Sequence, residues 1–288
     1  MTHAPAPDRA GALAALGAFL CWGVFGLYFK ALAEVPALEV LAHRILGGAL
    51  FALLLQAGLG RLPEIRTIFR DRKLVVGLAG SALAIAINWG AFIWAVTQGR
   101  ALEASLGYFI FPLVSVVLAR LFLGERLTTR QGGAVLLCAL GVGWMVLGGV
   151  GVPWLALILA ASFGAYGLLR KTIAVPALAG LFVETALLAP LAALYLIWAG
   201  GGVAAGVGGA TLALIAVAGP VTAVPLVLFA YGARRLRLST LGLMMYVNPT
   251  VQMLVAVFVF GEVFTAIHAV TFAAIWCGLV IYSWPRRT

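Results

Sequence analysis

The chain has 288 residues, of which 64% are hydrophobic and 10% charged, with a formal net charge of +10. That composition excludes a soluble globular domain, whose single core has no room for so much apolar surface. The apolar residues come in long blocks, each near the length of about 20 residues that a helix needs to cross a hydrocarbon layer.

Ten such spans are predicted, at 10–29, 37–57, 74–97, 101–123, 130–148, 153–171, 177–199, 210–232, 238–260 and 264–284. A transmembrane barrel needs short segments of alternating apolar and polar residues, and that pattern is absent. Residues 1–9 read as a polar tail. The first apolar block resembles a signal peptide, but nine more follow it, which marks it as the first span. A short turn ending at Pro36 leads to the second span, which holds His43 and Arg44. The longest hydrophilic stretch, 58–73, reads as a basic amphipathic connector. The third span carries Asn88, Trp89, Phe92 and Trp94, and the fourth is broken by Pro112 and closed by Gly124-Glu125-Arg126. Gly148 to Pro153 form a glycine-rich seam, after which Glu184 lies in the seventh span and Tyr246, Asn248, Pro249 and Gln252 in the ninth.

The two sides of the seam repeat each other. Pro112 to Glu125 match Pro249 to Glu262 without gaps at an offset of 137, whereas Leu106-Gly107 match Leu241-Gly242 at 135. Val35-Pro36-Ala37-Leu38 recur as Val175-Pro176-Ala177-Leu178, at an offset of 140. The expected organisation is a tail at 1–9, a five-helix repeat at 10–150 and a second at 151–288. Because five is odd, the second repeat is inverted in the membrane. Inverted repeats are the usual build of secondary transporters, with the substrate site at the midplane between them.

Of the 19 Lys and Arg, sixteen fall on the side shared by both termini, and only Lys30 and Arg100 on the other. The positive-inside rule then places both termini in the cytoplasm. The basic charge reflects topology rather than nucleic-acid binding. Cys21, Cys138 and Cys277 all fall inside spans and read as packing residues.

Polar groups inside a bilayer are functional suspects, because inserting a charge costs about 2.5–3.5 kcal/mol. Arg44 and Glu184 are the plain cases and occupy equivalent positions at the offset of 140. Each lies eight residues beyond its proline, about 12 Å deep from opposite faces, which leaves them some 6 Å apart in depth. Two readings stand: a buried ion pair joining the halves, or two groups lining a substrate path, with Arg44 attracting an anion and Glu184 an amine or proton. His43 reads as a hydrogen-bonded packing residue or a second path residue. Asn248 either satisfies a carbonyl freed by Pro249 or faces the cavity. Asn88, Trp89, Tyr108, Tyr246 and Gln252 complete a wall suited to an amphipathic small molecule. Gly107, Pro112, Gly242 and Pro249 are the hinge candidates, and Glu125 and Glu262 read as groups fixing turns.

No metal-binding cluster, phosphate loop or paired-carboxylate motif is present, so neither a metal, a cofactor nor ATP hydrolysis is expected. The expected partners are a small-molecule substrate, membrane lipid and a coupling proton or ion. A channel, a lipid scramblase and a membrane enzyme are the competing readings.

The words Leu41-Ala42-His43-Arg44, Asn88-Trp89, Leu102-Glu103-Ala104-Ser105-Leu106-Gly107-Tyr108-Phe109-Ile110, Arg170-Lys171 and Arg237 to Gly242 resemble the EamA group of the drug/metabolite transporter superfamily over nearly the whole chain. The resemblance implies a ten-helix inner-membrane permease acting as an exporter, with relatives that export amino acids and other metabolites. Phe111 departs from the asparagine expected before Pro112 and makes that position less polar.

Overall fold

The computed structural model describes residues 9–124, 128–199, 206, 208–236 and 238–283. The predicted tail before Arg9 lies outside these residues, as do Glu125, Arg126 and Arg237.

Every regular element among the described residues is helical. In lipid a backbone segment must satisfy its own hydrogen bonds, and a helix does so within one stretch of chain. The first predicted span forms α1 (Arg9–Gly23) and α2 (Phe25–Ala31), bent at Val24. Then come α3 (Ala37–Gly58), α4 (Leu62–Arg70), α5 (Arg72–Thr97), α6 (Ala101–Phe122) and α7 (Thr129–Leu147). Beyond the seam lie α8 (Trp154–Thr172), α9 (Ala177–Trp198), α10 (Gly209–Ala216) and α11 (Ala218–Ala233). The chain closes with α12 (Leu238–Met244), α13 (Val247–Leu254), which a π-helical turn extends to Val259, and α14 (Ala266–Ser283).

Seven of these stretches are long and apolar enough to cross a membrane: 9–31, 37–58, 72–97, 101–122, 129–147, 177–198 and 209–233. The other three predicted spans coincide with α8, with the broken α12–α13 stretch and with α14. The basic connector folds as α4, which buries Ile65 and Ile68 and exposes Arg66 and Arg70.

Local chemistry sets the helix ends. Pro36, Pro153 and Pro176 precede α3, α8 and α9, where a proline costs no helical hydrogen bond. Asp71 caps α5 by accepting from the backbone of Lys73 and Leu74, and Thr128 with Gln131 form a capping box on α7. The seam turns on Gly149 and Gly151, whose φ of 81° and 88° a side chain would resist.

The two repeated prolines have different structural settings. α6 runs unbroken through the buried Pro112. Its counterpart breaks at Met245 and Tyr246, and Pro249 sits in the first turn of α13. The second copy carries two more residues between Leu-Gly and Pro, and a two-residue turn takes up that length.

The most extensive helix packings all join the stretch before the seam to the stretch after it: α6 on α8, α3 on α9, α7 on α14, α5 on α8 and α1 on α11. Small residues make these approaches possible, as is usual where no hydrophobic force drives helices together in lipid. A Cβ on Gly107 of α6 would lie 2.7 Å from the Ala156 carbonyl oxygen of α8. One on Gly47 of α3 would lie 3.1 Å from the Gly219 nitrogen of α11. The main apolar core therefore draws on both halves, from Phe29 and Phe109 to Leu159 and Phe272.

Candidate functional site

α3 and α9 cross the core side by side, with Ala42 and Ile45 beside Ala192 and Ala52 beside Leu181, so they run antiparallel. A methyl on Gly48 would touch Thr185 at 3.7 Å. Measured from that contact, Arg44 and Glu184 lie five residues apart along the pair, roughly 7.5 Å at the helical rise. The similar depth predicted from the repeat is present. The ion pair is not. Each charge is held by a different set of groups, and both sets lean on α5.

Arg44 is 5% exposed. Its guanidinium lies 4.1 Å over the Trp89 ring, with the rings of Phe29 and Phe25 at 5.4 and 5.8 Å. A cation over an aromatic face gains up to about 2 kcal/mol where water is excluded. The Nε group donates to the Thr222 hydroxyl at 3.0 Å, which in turn donates to the Ala218 carbonyl at 2.8 Å. Trp89 comes from before the seam and Thr222 from after it. Among the described residues no carboxylate comes within ion-pair distance of Arg44.

Glu184, fully buried, accepts from the Ser81 hydroxyl at 2.6 Å. Arg170 Nη1 stands 3.7 Å from the same carboxylate oxygen. The Arg170 guanidinium crosses directly over Gly180, one helical turn before Glu184, where a Cβ would collide with it. Tyr166 stands beside the same carboxylate as a further hydrogen-bonding side chain.

Asn88 is bonded on both sides of its amide. Its Nδ2 donates to the Leu159 carbonyl at 3.0 Å and to Ser162 Oγ at 3.2 Å, and its Oδ1 accepts from the Tyr108 hydroxyl at 2.9 Å. It therefore ties α5, α6 and α8 together. Tyr108 belongs to a run of rings packed mostly edge to face, from Phe29 through Phe92, Tyr108 and Phe163 to Phe111, with centroids 4.7 to 5.9 Å apart.

Asn248 does not play the role the proline suggested. Its Oδ1 accepts from Gln252 Nε2 at 2.9 Å, and Gln252 also reaches the Trp22 carbonyl at 3.4 Å. The Met245 carbonyl, which Pro249 cannot bond, is taken by the Asn248 backbone N–H at 3.3 Å. Tyr246 lies in the turn before α13, and its carbonyl accepts from the Thr250 hydroxyl. The Asn248 group is thus a local cluster between α13 and α1. His43 points toward Glu39, with 3.9 Å between His43 Nε2 and the carboxylate. Gly107 is a close-approach point, and Gly242 lies within α12.

Several contributors carry no sequence pattern. Ser81, Thr222 and Phe25 enter the charged sites only through the fold. Two turn-proximal glutamates also have a defined task. Glu262 accepts from the backbone N–H groups of Ala101 and Leu102 at 2.7 and 2.8 Å, and Glu103 accepts from that of Leu155 at 3.1 Å. No cluster of three or more metal-ligating side chains occurs among the described residues.

The family model described as the EamA-like transporter family matches residues 9–147. An uncharacterized transporter of Vibrio cholerae is 44% identical over 98% of this chain and 95% of its own. Protein RarD of Escherichia coli K12 is 43% identical over 95% of this chain and 94% of its own. The chloramphenicol-sensitive protein RarD of Pseudomonas aeruginosa is 32% identical over 95% and 93%. A solved protein structure superposes with a TM-score of 0.64 over 96% of this chain and 99% of its own, at 21% identity, a likeness of fold alone. With relatives this similar over nearly its whole length, the chain is a multi-pass membrane protein that belongs to the EamA-like transporter family, among the RarD proteins.

Proposed function

We propose that the protein is a secondary transporter of small amphipathic molecules in the bacterial inner membrane, exporting them by alternating access. Ten spans form two inverted five-helix repeats, with both termini in the cytoplasm. Exchange symmetry in the packing supports this organisation. Where α6 packs on α8, its counterpart α13 packs on α1; where α5 packs on α8 and α9, its counterpart α11 packs on α1 and α3.

One observation carries the assignment of the site. Arg44 is a buried cation held by Trp89, before the seam, and Thr222, after it. A group bridging two repeats changes its surroundings when they rock, as alternating access requires. Tyr108 and Asn88 form the adjoining wall, and His43, Glu184, Tyr246, Asn248 and Gln252 belong to the flanking polar groups. Pro249, with the break before it and the π-helical turn after it, makes α12–α13 the more bendable arm, and Pro112 marks the matching point on α6.

Proteoliposomes preloaded with unlabelled chloramphenicol or aromatic metabolites test the reading by uptake of the labelled compound. Saturable uptake accelerated by the trans substrate is expected for at least one of them. Uptake without saturation or trans-acceleration indicates a channel or scramblase instead, and chemical conversion of the compound an enzyme.

A further inference from the structure

We propose that the ligand of the Arg44 site is an organic anion, a carboxylate on a flat apolar body, rather than a zwitterion, an amine or a neutral drug. The inference rests on the reading of Arg44 as part of the transport path.

Arg44 carries a charge with no carboxylate paired to it among the described residues. An arginine side chain stays protonated in proteins, and this one is 95% buried inside an apolar bundle. Its one hydrogen bond among the described residues runs from Nε to Thr222, and no carboxylate lies within ion-pair distance of it. The nearby carboxylates are engaged elsewhere, Glu184 with Ser81 and Arg170, and Glu39 on the same helix with His43. A buried charge without a counter-ion is costly, and an arriving anion removes that cost.

Geometry then selects the kind of anion. Trp89, Phe29 and Phe25 surround the guanidinium at distances suited to its faces. A guanidinium with rings against its faces binds a carboxylate through its edge, with two parallel hydrogen bonds. Tyr108, Phe163 and Phe111, the partly exposed rings of the run that begins at Phe29, provide apolar and aromatic surface for the rest of the molecule. Phe111, the departure from the family pattern, lies at the far end of this run and extends its apolar character. An amino acid would bring an ammonium into the same space, where no unengaged carboxylate waits for it.

The test compares acids with neutral, cationic and zwitterionic analogues on the purified full-length protein. Benzoate, phenylacetate and indole-3-acetate are set against benzamide, phenylacetamide, phenethylamine and phenylalanine, by thermal shift and by counterflow in proteoliposomes. At least one acid is expected to bind ten-fold or more tightly than its amide, a preference that Arg44→Gln abolishes and Arg44→Lys partly keeps. Trp89→Phe, which preserves the charge, is expected to retain the preference at lower affinity, so a folding defect in Arg44→Gln does not decide the matter. If no acid binds more tightly than its amide, or if a folded Arg44→Gln retains the preference, the proposal is overturned. Acid-selective binding without counterflow would leave the ligand class standing and remove transport. Counterflow of amides as fast as acids would do the reverse.

Discussion

Glu262 and Glu103 cap helices on opposite sides of the seam: Glu262 holds the start of α6, and Glu103, in the first turn of α6, holds the start of α8. Neither helix has a side-chain cap from its own N-cap residue, Arg100 or Pro153. The first N–H groups of a helix need acceptors, and a carboxylate there also meets the positive end of the helix dipole. Arg100 adds two bonds to Glu103. The result is a pair of charged fastenings joining the two halves at the end of the bundle that carries Arg100 and Pro153.

Removing the Glu262 fastening is therefore expected to loosen that end. Glu262→Ala should lower stability by about 1–2 kcal/mol, the usual range for losing an N-terminal cap. Thermal unfolding in detergent measures this, with Glu34→Ala, at an exposed turn residue, as a control expected to change little.

The same carboxyl gives a pH dependence with a definite sign. Burial raises the Glu262 carboxyl above the ordinary carboxylate value, against the N–H groups of Leu102 and Ala101 and the charge of Lys30, which lower it. A solvated Glu262, in an opened or unfolded state, returns toward the ordinary value. The closed arrangement therefore holds its proton to higher pH. Its stability contribution is present below the ordinary value and is lost as pH rises through the raised one. Opening of this end, followed by thiol labelling of a cysteine introduced at Leu102, should increase with pH in that window. Glu262→Gln should flatten the response.

Asn88 is predicted to matter more for stability than for ligand affinity. Its amide closes bonds to Tyr108, Leu159 and Ser162, all within the core. Asn88→Ala strands those groups, at about 1–3 kcal/mol for buried polar atoms left unpaired. Comparing denaturation midpoints with ligand dissociation constants for the variant separates the two effects.

Two glycine substitutions should move stability in opposite directions. Gly107→Ala forces a Cβ to within 2.7 Å of the Ala156 oxygen and 2.9 Å of Leu159 Cβ, so α6 and α8 must part. Overpacking of this kind costs about 1–3 kcal/mol. Gly133→Ala, in α7 with nothing within 4 Å, should gain up to about 1 kcal/mol from helix propensity. Thermal melts of the two single variants check the contrast.

The helical framework was legible because lipid leaves few alternatives: long apolar blocks, prolines at helix starts and glycines at turns place most element ends within a few residues. The closeness of Arg44 and Glu184 along the helix pair was also legible, from the offset and their distance to Pro36 and Pro176. Their partners were not. Thr222 lies 178 residues from Arg44 and Ser81 103 residues from Glu184, and an isolated hydroxyl in an apolar stretch carries no pattern. Without those partners an ion pair was as reasonable as two separate sites. The unequal setting of Pro112 and Pro249 had a signal, the two extra residues in the second copy, whose meaning appears only once the turn at Met245 and Tyr246 is seen.

The most direct test of the central claim, alternating access, is to fasten the Glu262 end covalently. With Cys21, Cys138 and Cys277 replaced, cysteines at Ala101 and Glu262 can be joined by a short thiol-reactive cross-linker. Counterflow is then measured before and after reversal of the link. The account predicts that cross-linking stops turnover and that reversal restores it. Turnover undiminished in fully cross-linked protein would contradict it.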